Sequence, residues 1–191
     1  SYYSQNLSVN MQIKDFEVLG NTADSYRAVP EIKVNYNKAI GEYLEFNLDS
    51  EVAHFDNTLD TAPTATRFHV APTLAVPLRA AWGELVAETT LFQTVYQQDN
   101  VEGTDLKEDV ERTLGQARLY GALYFERDKS WFSDDMSMTL EPKIQYLYTS
   151  YEDQTAIGFY DSTPLLTDVE GLFRGQEFTG LDRISDNNQI T

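Results

Sequence analysis

Cysteine is absent from the 191 residues. That excludes a disulfide framework and a thiolate metal site, and leaves the redox compartment open. Long apolar runs are absent as well. No stretch approaches the roughly 18 consecutive apolar residues of a membrane helix, so any membrane role must use strands. Basic residues are scarce, 14 against 31 acidic ones, for a formal charge of -17. Neutralising phosphates needs clustered Lys and Arg, so no nucleic-acid partner is expected, and the acidity reads first as solubility. The opening SYYSQNLSVN lacks a basic region followed by an apolar core and does not read as a signal peptide. Heptads, low-complexity tracts and a defensible helical segment are also missing.

What is present is period-two alternation. At 41% apolar and 13% aromatic the chain is too hydrophobic to stay unfolded despite its charge. In MSMTLEPKIQYLY (136–148), Met136, Met138, Leu140, Pro142, Ile144, Tyr146 and Tyr148 oppose Ser137, Thr139, Glu141, Lys143 and Gln145. In ATRFHVAPTLAV (65–76), Thr66, Phe68, Val70, Pro72, Leu74 and Val76 oppose Arg67, His69, Ala71 and Thr73. The same design fills 7–15, 28–37 and 42–55, and recurs in blurred form in 83–97 and 114–126. The expectation is all-β: about seven antiparallel up-and-down strands of roughly 9–13 residues, longer than the five or six usual in soluble proteins.

The connections (16–27, 37–42, 56–64, 77–82, 98–113, 127–134 and 150–188) take turns between longer and shorter, the asymmetry of outer-membrane barrels. Two neighbours suit the apolar faces, lipid or a second sheet; strand length and loop alternation favour lipid and a large transmembrane β-barrel. Charged residues on the opposite faces suit an aqueous lumen, and Tyr36, Tyr146 and Tyr148 suit an interfacial girdle. Pro30, Pro72 and Pro142 sit inside predicted strands, where each removes a ladder hydrogen bond, and bulges are the expected remedy.

Residues 150–191 break the alternation with a connection of nearly forty residues. Here TLEPKIQYLY, FYDS, GLFR and FTGLDRISDNNQ, with ATRFHVAPTLAVPL, YQQ and FERD before them in the same order, resemble the LPS-assembly protein LptD family, also called organic solvent tolerance protein OstA. The resemblance covers essentially the whole chain. It implies the central part of a C-terminal outer-membrane β-barrel in the Gram-negative cell outer membrane that delivers lipopolysaccharide (LPS) to the outer leaflet. It further implies a plug lipoprotein, LptE, inside the barrel, a periplasmic LPS-transport bridge reached through an N-terminal jelly-roll domain, and contact with outer-membrane lipid. The signal sequence, jelly-roll and cysteines of many family members are not in this sequence. Residues 1–191 are therefore expected to be a barrel-domain fragment, with its long loop at about 150–188 and the lateral opening outside it.

The site residues follow from these readings. Arg67, His69, Glu141 and Lys143 fall on the polar, lumen-facing side. In the tail, Arg174, Gly180, Asp182, Arg183, Asn188 and Gln189 are expected to lock the long loop into the lumen. An Arg holding an Asp by parallel hydrogen bonds is the natural clasp, and Gly180 supplies a backbone conformation closed to other residues. The competing reading sends Arg174 and Arg183 to lipid A phosphates. Only His54 and His69 could act as imidazole bases, and neither has an obvious Ser and Asp set, so both read as wall residues in a non-enzyme without cofactor or metal. DNVEGTDLKEDVE (99–111) does not match calcium-loop spacing and reads as a solvated acidic loop. The rival classes are a soluble β-sandwich binding module and a barrel enzyme such as a lipase.

Overall fold

The computed structural model describes residues 1–13, 26–127, 137–166, 168 and 170–191. The strands are β1 (Tyr2–Tyr3), β2 (Leu7–Gln12), β3 (Tyr26–Ile40), β4 (Leu44–Asn57), β5 (Thr64–Ala80), β6 (Gly83–Asp99), β7 (Asp109–Leu123), β8 (Phe125–Arg127), β9 (Met138–Leu140), β10 (Lys143–Thr149) and β11 (Asn187–Ile190). Nine of them form one sheet in the order β1-β2-β3-β4-β5-β6-β7-β10-β11, and β8 and β9 make a separate hairpin ladder. Every pairing is antiparallel. The sheet is an up-and-down meander with two open edges and does not close on itself within this chain.

The central strands exceed the expected length. β3 to β7 run 14 to 17 residues, because each alternation extends beyond the stretch in which it is cleanest in the sequence. Residues 136–148, expected as one strand, are two. Met138–Leu140 pairs with β8 and Lys143–Thr149 pairs with β7, and the break falls at Glu141 and Pro142, where proline cannot donate to a ladder. Met136, Lys14 and Asp15, at the margins of predicted strands, and most of the predicted 127–134 connection lie outside the described residues.

The three prolines behave differently. At Pro30 the β3–β4 register shifts between Ala28 and Glu31, the expected bulge. Pro72 opposes Leu48 on β4, and the β5–β6 pairing resumes on either side of Ala71 and Pro72 without a slip. Pro142 lies between strands.

The packing is the reverse of a sandwich. On β5 the odd positions Ala65, Arg67, His69, Ala71, Thr73 and Ala75 are buried, while Phe68, Val70, Leu74, Val76 and Leu78 are exposed. The registers carry this division across the sheet: Phe68 opposes Val52 and Val95 on the exposed face, and Arg67 opposes Ala53 and Tyr96 on the covered one. What covers the polar face is the chain's own tail, 150–186. Ile157 and Tyr160 join Ala53, Phe55, Ala65 and Tyr96 in one core, and Ile184 joins Ala71, Phe92 and Leu114 in another. Tyr160 stacks on Phe55 with ring centroids 5.5 Å apart. Among the described residues the apolar face is bare from β4 to β10, with Val52, Leu74, Leu85, Leu91, Leu119, Ile144 and Tyr148 all exposed.

Candidate functional site

β5 and β7 each place one arginine at the centre of the covered face by simple alternation. Arg67 and Arg112 are 0% and 1% exposed, the two largest fully buried side chains among the described residues. A buried guanidinium is tolerated only when its donors are matched, and here the tail supplies much of the match.

Three carboxylates meet on Arg67. Its Nε donates to Glu51 Oε1 at 2.9 Å, and Nη2 also reaches that oxygen. Nη1 donates to Asp182 Oδ1 at 2.7 Å, and Nη1 and Nη2 donate to the two oxygens of Asp161 at 3.0 and 2.5 Å. The other Glu51 oxygen lies 3.3 Å from Lys33 Nζ, which is also 2.7 Å from Glu31. The guanidinium carbon lies over the Phe55 ring, 4.7 Å from the ring centroid. Arg112 grips the tail by its backbone: Nη2 donates to the Leu181 carbonyl at 2.6 Å and Nη1 to the Asp182 carbonyl at 3.0 Å. Gln154 and Thr94 accept two further bonds, and Nε has no partner among the described residues.

Asp182 ties the tail to itself as well as to the wall. Its Oδ2 accepts from the backbone N–H groups of Tyr160 and Asp161, both at 2.7 Å, and Oδ1 accepts from the Tyr96 hydroxyl at 3.1 Å. The Asp182 N–H donates to Ser162 Oγ. FYDS (159–162) and GLDR (180–183), which are about twenty residues apart, thus close into one knot over Arg67. Gly180 makes the approach possible. Its φ is +62°, and a Cβ there would lie 2.1 Å from Asp161 Oδ1. Burial alone would raise the Asp161 carboxyl, but the hydrogen bond and charge of Arg67 outweigh it and hold the group at about 2. Asp182 is pushed the other way, first by burial and then by the Asp161 charge beside it.

The other residues singled out in the sequence are dispersed. Arg183 turns back on the tail, donating to the carbonyls of Ile157 at 2.7 Å and Asp182 at 2.9 Å while lying 3.8 Å over the Phe159 ring. Arg174 sits apart and half-buried, bonded to the Leu166 carbonyl and to Asp168. Asn188 and Gln189 belong to β11, opposite Tyr148 and Leu147, and Asn188 accepts from the Tyr146 hydroxyl at 3.2 Å. His69 is buried on the covered face and bonded to Thr94 at 2.9 Å, whereas His54 sits on the opposite face with Thr66. Glu141 and Lys143 are exposed and 3.5 Å apart. Sequence reasoning missed Arg112, Tyr96, Gln98 and Asp161. Gln98 alone bridges the Ala156 carbonyl, the Gly158 N–H and the Tyr160 hydroxyl. The signal for Arg112 was its alternation with Leu114, two residues beyond the stretch read as a strand.

A meander of long strands, apolar and bare on one face and polar and covered by its own connection on the other, is a section of β-barrel wall. The chain belongs to the LptD family: the model of that family, described as LPS transport system D, matches residues 1–191. It is 59% identical over 190 residues to the LPS-assembly protein LptD of Pseudoalteromonas atlantica. It is 40% identical over 193 residues to the protein of that name from Shewanella frigidimarina, and 41% over 198 residues to that of Sodalis glossinidius. These alignments cover 99 to 100% of the chain and 25% of each relative, so the chain spans about a quarter of the length of the curated relatives it matches.

Proposed function

We propose that this chain is a wall segment of an outer-membrane barrel that carries LPS to the outer leaflet, with residues 150–186 locked on its lumen side. The bare apolar face carries this reading. Ten steps of ~3.4 Å separate Phe68 from Leu78, about 34 Å along the strand, and the usual barrel tilt of roughly 40° projects that to about 26 Å, close to the height of an outer-membrane apolar band. Exposed aromatics at the short-turn end, Tyr43, Trp82 and Phe125, sit where an interfacial girdle belongs. A β-sandwich would cover that face; here the cover is on the other one.

The task is transport without bond chemistry. LPS joins a wet saccharide to several acyl chains, so its conduit needs a polar interior and an apolar exterior, which is the division this sheet makes. The unpaired edges at β1 and β11 are to be met by neighbouring barrel strands, since open edges do not survive in hydrocarbon. The Arg67 knot is the clasp that keeps the tail on the lumen face. A plug lipoprotein and a periplasmic bridge, implied by the family resemblance, belong to the whole assembly.

The test is depletion and replacement in cells. A full-length protein bearing Arg67→Ala in this segment is expected to leave the outer membrane permeable to large antibiotics and deficient in surface LPS. Normal LPS export by a protein whose tail is shown to be undocked would contradict the role given to the clasp.

A further inference from the structure

The bare face is not uniformly filled. At the level of Leu78 the register sets four residues side by side, Leu78, Leu85, Gly121 and Ile144. Three are large and exposed, and the third place in the row has no side chain. Along β7 the same-face neighbours of Gly121 are Leu119 and Leu123, so the gap is walled on four sides. In the next row toward the short turn, Ala80 opposes Gly83, over which the Leu123 side chain already packs, 3.0 Å from where a Cβ would stand. The result is a cavity of about 630 Å³ lined by Leu78, Leu85, Leu123, Pro142, Ile144 and the exposed Trp82.

We infer that this pit seats one acyl chain of a glycerophospholipid, with Trp82 at the lipid's ester level. This rests on the membrane reading above. The pit is continuous with the apolar band, so its occupant comes from the bilayer. It opens next to a short turn, and short turns mark the periplasmic side of outer-membrane barrels. Gly121 lies two residues from the end of β7, about 7 Å along the strand. That depth matches the upper part of an acyl chain whose glycerol sits at the interface. Trp82 is 69% exposed beside the turn, where an indole buries its ring against lipid and offers its N–H to an ester carbonyl. Arg79, Glu84 and Lys143 also border the cavity, but by alternation their side chains belong to the face opposite Leu78, Leu85 and Ile144, so the class selected is defined by its ester and its chain.

The first atom of a side chain at Gly121 meets no clash. A Cβ on Gly121 would stand 3.6 Å from Ile144 Cγ2 and 3.8 Å from Leu85 Cδ1, ordinary contacts. Gly115, on the same face of β7, has nothing within 4 Å of its Cβ and provides the control. The experiment uses the full-length protein with Trp82 as its sole tryptophan, in maltoside micelles titrated with a glycerophospholipid whose acyl chain is brominated. Trp82 fluorescence is expected to be quenched saturably. Gly121→Leu is expected to weaken this about tenfold, the loss when roughly two methylene groups no longer find apolar cover, while Gly115→Leu leaves it unchanged. Equal titrations for wild type and Gly121→Leu would overturn the pit. A second measurement, in bilayers made of the brominated lipid, separates the two claims. Quenching of Trp82 there in both proteins, without a saturable site in micelles, sinks the pit and leaves the membrane reading standing. No quenching in bilayers sinks both.

Discussion

Arg67 and Asp182 stand 115 residues apart in the chain and meet at 2.7 Å with both side chains fully buried. One belongs to the wall and the other to the tail, so this contact, together with Asp161 beside it, decides whether the tail is docked. Removing one partner of a buried pair leaves the other charge unmatched, which costs about 3–5 kcal/mol. In Arg67→Ala three carboxylates lose their shared guanidinium. The tail of the full-length protein is then expected to become cleavable by added protease within 150–186. A tail as protected as in wild type would show that the apolar contacts of Ile157, Tyr160 and Ile184 suffice.

Gly180 and Gly103 offer a paired test of space against backbone strain. Both have positive φ, +62° and +78°, so alanine costs on the order of 1 kcal/mol at either from conformation alone. Only at Gly180 does the new Cβ collide, with the side chain and backbone of Asp161; at Gly103 nothing lies within 4 Å. Gly180→Ala is expected to lower the thermal transition several degrees further than Gly103→Ala. Equal shifts would mean that the FYDS and GLDR segments are less tightly closed than described.

Asp182→Ala and Glu141→Gln separate the buried clasp from the exposed charges. Glu141 lies 3.5 Å from Lys143 in the open, and exposed pairs contribute about 0–1 kcal/mol. Outer-membrane permeability to a large antibiotic should rise for Asp182→Ala and stay at the wild-type level for Glu141→Gln. Identical, wild-type permeability for both would count against the clasp.

Acid should release the tail in a defined window. Asp161 is held at about 2, below the ~3.9 of a free aspartate. Its contribution to docking is therefore complete above about pH 4 and is lost as the pH falls through about 2. Asp182 has the opposite sign: raised by burial and by Asp161, it takes a proton in the docked state first, which favours docking as the pH drops toward 4. Amide exchange at Tyr160 and Asp161, whose N–H groups donate to Asp182, should stay protected to about pH 4 after correction for intrinsic rates and open below it. Loss of protection above pH 5 would contradict these signs.

The sheet was legible in the sequence because alternation is local: each apolar residue reports its own face, and neighbours only have to agree. The breaks were legible less well. Pro142 kept the period of 136–148 while removing a ladder donor, so two short strands looked like one. β11 was missed because Asn187, Asn188 and Gln189 carry no apolar alternation; they form a strand by pairing with β10, not by burying a face. The clasp was half visible. Asp182 and Gly180 stood out in GLDR, but their expected partners were the nearby Arg174 and Arg183. The arginine that meets Asp182 is Arg67, chosen by the fold of the wall, and no spacing in the tail encodes a contact 115 residues away. Asp161 was passed over for the same reason.

The decisive property of this wall is which side of β5 faces hydrocarbon. Single cysteines from Ala65 to Leu78, spin-labelled in the full-length protein in bilayers, measure this directly through collision with oxygen, which dissolves in lipid, and with a nickel chelate, which does not. The prediction is strict alternation: labels at Phe68, Val70, Leu74, Val76 and Leu78 meet oxygen, and those at Arg67, His69, Ala71, Thr73 and Ala75 do not. Labels at the even positions that meet neither collider, as they would beneath a second protein layer, would contradict it.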